Sequence, residues 1–196
     1  MEIKAIFGLL SSLFVFLGTI PYLVDIHNKQ VQPHILSWLG WAFLTGLGAS
    51  AMIADGATWA TAILWANAFF CLVIAIYSVI KGVGVWSTAS YDYLFFLLGL
   101  IGLILWQVLD KPVIALVFAI LADLFFGLPT IIKAYKEPIS ETRLVWLAAA
   151  ISGLFGLFAI NGFVFHEAAY PIYLFIYDST MLLIVLKIIR RSPINS

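Results

Sequence analysis

Charge is what this sequence has least of. Only 10% of its 196 residues are Asp, Glu, Lys or Arg, against 64% hydrophobic, whereas a soluble domain is about a quarter charged and about half apolar. A chain with so few charges cannot clothe a globular surface in water, so the water-soluble classes are excluded and the bilayer becomes its solvent. The ten basic and ten acidic residues cancel, which removes the electrostatic footprint that nucleic-acid binding requires. With Cys71 as the single cysteine, no internal disulfide can form and the redox compartment is unreadable. The three histidines, His27, His34 and His166, fall in or beside polar breaks without a second ligand at metal spacing, so no metal is expected. A P-loop, a dinucleotide fingerprint and a nucleophile elbow are also missing. Ser11 and Ser179 read as helix-packing hydroxyls, and neither an enzyme nor a cofactor is expected.

What the sequence has in abundance is long apolar runs. A transmembrane helix needs about 20 mainly apolar residues, and the chain divides into seven such stretches, near 4–24, 34–54, 58–80, 92–109, 112–134, 142–163 and 169–190. The breaks DIHNKQVQPH, ADGAT, KGVGVWSTASYD, DKP, KAYKEPISETR and VFHEAAYP hold the residues that punctuate helices. Lys4 followed by IFGLLSSLFVFLGT has the marks of a signal peptide, but no small-residue cleavage site follows it. Lys29, Lys81, Lys133, Lys136, Arg143, Lys187, Arg190 and Arg191 fall on one side of the predicted spans and only Lys4 and Lys111 on the other. Eight against two predicts an N-terminus outside and a cytoplasmic C-terminus.

Displacing the sequence by 108 residues sets GTIPYLVDIHNKQVQPHILSWLGWAF over FGLPTIIKAYKEPISETRLVWLAAAI, with Pro21 on Pro129, Trp38 on Trp146 and Gly48 on Gly156. Three further residues in the second copy bring LWANAFFCLVIAI onto FIYDSTMLLIVLK and Asn67 onto Asp178. Each copy holds three helices, and two such copies share an orientation only if an extra helix joins them. The expected all-α architecture is therefore a parallel repeat of 3+1+3 helices, with a first repeat over 1–82, a linker helix over 83–110 and a second repeat over 111–196.

Pro21 with Lys29, and Pro129 with Lys133, Lys136 and Ser140, give this pattern its character, and on them the chain resembles the PQ-loop and SWEET superfamily of small-solute transporters. The glutamine that names the PQ loop is replaced by Tyr22 and Thr130. The resemblance implies pocket-facing polar groups on the third helix of each repeat, at Asn67 and Asp178. It also implies an acid before the second loop, at Asp123, as in the proton-coupled lysosomal members.

At about 1.5 Å per residue, Asn67, Asp123 and Asp178 lie roughly 12–17 Å from the outer ends of their predicted helices, near the middle of a core about 30 Å thick. A charged side chain there costs about 2.5–3.5 kcal/mol on insertion scales, so each acid should face protein or a cavity. Asp178 is then a ligand for a polar solute, a counter-ion or a proton carrier, with a helix-gluing acid bonded to Asn67 as the plain alternative. Asp123 shares the proton-coupling expectation. Trp41, Trp65 and Tyr177 offer flat apolar faces beside these polar groups and complete the expected substrate site. The plain reading of such aromatics is an interfacial belt, to which Trp59, Trp86, Tyr91, Tyr93, Tyr170 and Tyr173 are assigned. Pro21 and Pro129 either kink their helices as a gate or hinge, or simply end them. Ala149, Gly153 and Gly156, with Gly46 and Ser50, read as close helix packing.

The function expected is alternating-access transport of a small polar, sugar-like, nucleoside-like or amino-acid-like solute through the cell (plasma or inner) membrane, with uniport and proton coupling both open. The two repeats would rock about a central site. The partners expected are the small-molecule substrate, the lipid bilayer and, in the coupled case, protons; a homo-oligomer is allowed and nucleic acid is not. A sorting-signal receptor of the same fold would need basic residues in its pocket. A non-transporting structural subunit is the other rival.

Overall fold

A computed structural model describes residues 3–54, 62–87, 89–109, 111–160 and 165–187. Among them the chain forms seven α-helices: α1 (Ile3–His27), α2 (Ile35–Ala54), α3 (Ala62–Lys81), α4 (Tyr91–Val108), α5 (Pro112–Lys136), α6 (Arg143–Ala159) and α7 (Phe165–Val185). A 3₁₀ turn at Pro138–Ser140 precedes α6. No strand occurs among the described residues beyond a single bridge between His34 and Val85.

Four segments are long and apolar enough to cross a membrane: Ile3–His27, Tyr91–Val108, Val113–Lys136 and Ala168–Val185. These are the helices of an integral membrane protein. Their surfaces agree, because large apolar side chains face outward at helical spacing. On α1 they are Ile6, Leu9, Leu13, Phe16, Ile20 and Val24, and on α4 Leu94, Leu97, Ile101, Ile104 and Val108. In water such stripes would aggregate, whereas against acyl chains they are at home.

Helix ends follow local chemistry. α3 stops at Lys81 because Gly82 takes φ +67°, and the amides of Val83 and Gly82 bond back to the carbonyls of Ser78 and Val79, the Schellman arrangement. α1 ends the same way with Lys29 at φ 58°, its amide on Ile26 and that of Gln30 on Asp25. Three boundaries of α6 and α7 differ from the sequence expectation by four residues or more: α7 ends at Val185, five residues short of the expected 190, and the other two flank the α6–α7 connection. α6 ends at Ala159, before an extended Ile160, and α7 begins at Phe165 with Pro171 inside it. The break therefore begins after Ala159 and is over by Phe165, earlier than VFHEAAYP; the turn-favouring pair Asn161 and Gly162 in the sequence lies outside the described residues. Pro21 and Pro129 also lie inside continuous 25-residue helices, so neither proline is a helix end.

The chain forms two compact units, residues 1–31 with 131–196, and residues 32–130. Packing groups helices by contact, which is a separate matter from duplication in sequence. In the first unit, α1 lies along α6. A methyl on Gly18 would fall 2.8 Å from Cβ of Ala148, and the hydroxyls of Ser11 and Ser152 meet at 3.0 Å. α7 packs on the other flank of α6, where a methyl on Gly153 would fall 2.9 Å from Cα of Phe175. Small residues bring these helices close, as expected where lipid supplies no hydrophobic drive.

In the second unit the centre is Phe126 of α5. Its ring fills the space over Gly40 of α2 and Gly99 of α4, where added methyls would fall 2.3 and 2.4 Å from ring atoms. Leu44, Leu103 and Ala122 complete the buried cluster, with Trp41, Phe96 and Trp106 against it.

Candidate functional site

The acid on α5 is the best-placed of the expected site residues. Asp123 is 6% exposed, and its Oδ1 accepts a 2.9 Å hydrogen bond from the indole N–H of Trp41 on α2. Trp41 meets Trp38, one helical turn earlier, edge to face at a ring-centroid distance of 5.2 Å. An indole is a donor without an acceptor, so it holds the carboxylate without competing for a proton or a cation. On α3, Asn67 is half-buried, and its Oδ1 accepts a bond from the thiol of Cys71 at 3.4 Å. Cys71 is within electrostatic reach of Asp123. Trp41, Asn67, Cys71 and Asp123 thus form one neighbourhood in the second unit. Trp65 is 45% exposed, so its ring is not enclosed with the buried members of α3.

The remaining expected residues belong to the first unit. Asp178 is half-buried and Tyr177 buried on α7. Tyr177 belongs to an aromatic ladder: its ring is 6.0 Å from Tyr173 and 6.2 Å from Trp146 of α6, and Tyr173 is 5.9 Å from Tyr170. Tyr170 and Tyr173 are therefore packed against other rings, while Trp86 and Tyr93 are exposed as belt residues would be; Trp59 lies outside the described residues. Because α7 starts at Phe165, Asp178 is about 20 Å from that end and about 10 Å from the other, deeper along the helix than the sequence boundary implied.

Two polar clusters escaped sequence reasoning. In the first unit, the Glu141 carboxylate gathers Lys133 Nζ at 2.5 Å, the Tyr22 hydroxyl at 2.9 Å and the Trp146 indole N–H at 3.3 Å. The next residue, Thr142, donates its hydroxyl to Asp25 of α1 at 2.6 Å and makes no side-chain cap on α6, although it stands at the N-cap. In the second unit, His34 joins Asp92 of α4 through Nε2 at 3.3 Å and Ser37 through Nδ1 at 3.3 Å. The same Asp92 carboxylate accepts the Ala89 amide at 3.0 Å. Charges inside polar breaks normally read as solvated, and only the 108-residue displacement, which puts Glu141 opposite Pro33, could have marked Glu141 as an addition peculiar to one copy.

Among the described residues no group of three or more His, Cys, Asp or Glu could hold a metal ion. No family model, curated protein or solved structure matches the chain.

Proposed function

We propose that the chain is a small-solute carrier of the PQ-loop and SWEET type, crossing the membrane seven times as two parallel triple-helix repeats joined by α4, and working by alternating access. The observation that carries this reading is Asp123, an acid buried in a membrane helix and held by a tryptophan N–H. A carboxylate at that depth is costly and by default marks a solute or proton path. Helix lengths are compatible with seven spans: α2 and α3 have 20 residues each, about 30 Å of rise, and α6 has 17.

The repeat gains support from packing. Gly18 lies against Ala148 in one unit and Phe126 against Gly40 in the other, and each residue of the second contact is the 108-residue equivalent of one in the first. The same interhelical contact is thus made twice, with the large and small residues exchanged. In the proposed carrier, Trp41 and Asn67 bind solute and Asp123 carries the proton in the second unit, while in the first Tyr177 binds solute and Asp178 both hydrogen-bonds it, as an asparagine could, and carries the proton, and Pro21 and Pro129 supply flexible points in α1 and α5. Asp178 and Asp123 favour proton linkage over simple facilitated diffusion. A peptide-signal receptor would need a cation available to a carboxylate. The buried cation on α5, Lys133, is already engaged by Glu141.

A thermal-shift screen of the purified protein against sugars, nucleosides, vitamins and amino acids tests the reading, because a bound solute raises apparent stability by mass action. At least one class should stabilise the wild type, and Trp41→Phe should abolish that shift. A panel with no stabilising solute would reject the site.

A further inference from the structure

The Glu141 cluster is built where a bundle held only by packing would not need it. Lys133 and Glu141 are each 4% exposed, and a buried ion pair is seldom a net stabiliser, since desolvating both charges consumes most of their attraction. In some proteins such a pair instead selects one geometry over another. Glu141 draws donors from three elements of the first unit: Tyr22 from α1, Lys133 from the last turn of α5 and Trp146 from α6. Glu141 also precedes the α6 N-terminus, where the helix dipole favours an anion. Beside it, the bond from Thr142 to Asp25 ties the same segment to α1. Between Lys133 and Glu141 the chain runs through Glu137 and the 3₁₀ turn, where the Ser140 hydroxyl bonds the Glu137 carbonyl at 2.7 Å. One carboxylate therefore fastens a whole connecting segment down onto α1 and α6.

We infer that Glu141 is the catch of a latch that closes this end of the first unit, and that release of Lys133 and Tyr22 from it lets the segment 137–142 lift away from α1 and α6. In its purpose, as the gate on this side of a carrier, the latch rests on the transport reading; its existence can be tested without transport. Ser140, inside this segment, is buried in the closed state, so a cysteine there reports the opening.

The experiment measures the rate at which a water-soluble maleimide modifies Ser140→Cys in the full-length purified protein. Two controls label elsewhere: Ser152→Cys, buried in α6 of the same unit, and the native Cys71. Lys133→Met and Glu141→Gln should each raise labelling at position 140 about tenfold, the population shift that about 1.4 kcal/mol produces. Combined, they should label no faster than the faster single variant, because both break one catch. Both controls should stay slow. Rates at position 140 that do not change, single effects that multiply to about a hundredfold in the double variant, or controls that rise in parallel would overturn the latch. The Glu141→Gln variant keeps size and an acceptor for Tyr22, which guards against misfolding. A wild type that moves no solute while this pattern holds would remove the carrier and leave the latch. Active transport with flat labelling would do the reverse.

Discussion

At Glu141 a single carboxylate accepts bonds from an ammonium, a phenol and an indole, and its removal takes one shared acceptor from all three. Replacing one partner of a buried ion pair costs about 3–5 kcal/mol, mostly for the charge left behind. Glu141→Leu should therefore lower unfolding stability by that amount in detergent-based denaturation, whereas Thr142→Val, which loses one bond to Asp25, should cost about 1.5–3 kcal/mol. Glycines give a matched contrast. Gly40→Ala puts a methyl 2.3 Å from the Phe126 ring, and that ring is fully buried and cannot retreat, so about 1–3 kcal/mol should be lost. Gly8 has open space around it, and Gly8→Ala should be neutral or gain up to about 1 kcal/mol of helix stability. Both are read by thermal unfolding of the purified variants. Sequence pattern could name Asp123 and Asp178, because an acid inside an apolar run stands out. It could not name Glu141, because an acid in a polar break looks like any solvated loop residue until the fold buries it.

Elements were legible where apolar runs were long and breaks were rich in polar and turn residues. All seven predicted stretches correspond to helices, and the fourth and fifth begin within one residue of where the breaks put them. Misplacement came at the α6–α7 connection, where Pro171 drew the boundary toward itself although a helix tolerates proline by re-satisfying the freed carbonyl elsewhere. Pro21 and Pro129 repeat that lesson, each with a further turn or more of helix beyond it. One helix end carries strain of its own: Lys29 adopts φ 58°, which costs a side-chain-bearing residue about 1–2 kcal/mol. Glycine removes that cost but returns about 0.4–1 kcal/mol through its freer unfolded chain. Lys29→Gly should thus stabilise α1 by up to about 1.6 kcal/mol, read as the midpoint of thermal unfolding; a lowered midpoint would mean that the lysine side chain contributes more than the backbone loses.

For the whole molecule, composition alone separated membrane from water, and the outward apolar stripes on α1 and α4 are that composition laid out in space. Grouping was not legible. Nothing in the order of the runs says that α1 packs with α6, because contacts between distant helices depend on small residues such as Gly18 and Gly153 whose partners lie more than a hundred, or some twenty, positions away. The proposed carrier depends on acids inside membrane helices, which are costly there and by default mark a solute or proton path, and solute flux tests that most directly. Purified protein in liposomes, given labelled sugars, nucleosides, vitamins and amino acids with and without an inward proton gradient, should show saturable uptake that the gradient accelerates. Asp178→Asn and Asp123→Asn should keep solute exchange while losing the response to the gradient. Liposomes that take up every solute no faster with the protein than without it would contradict the account.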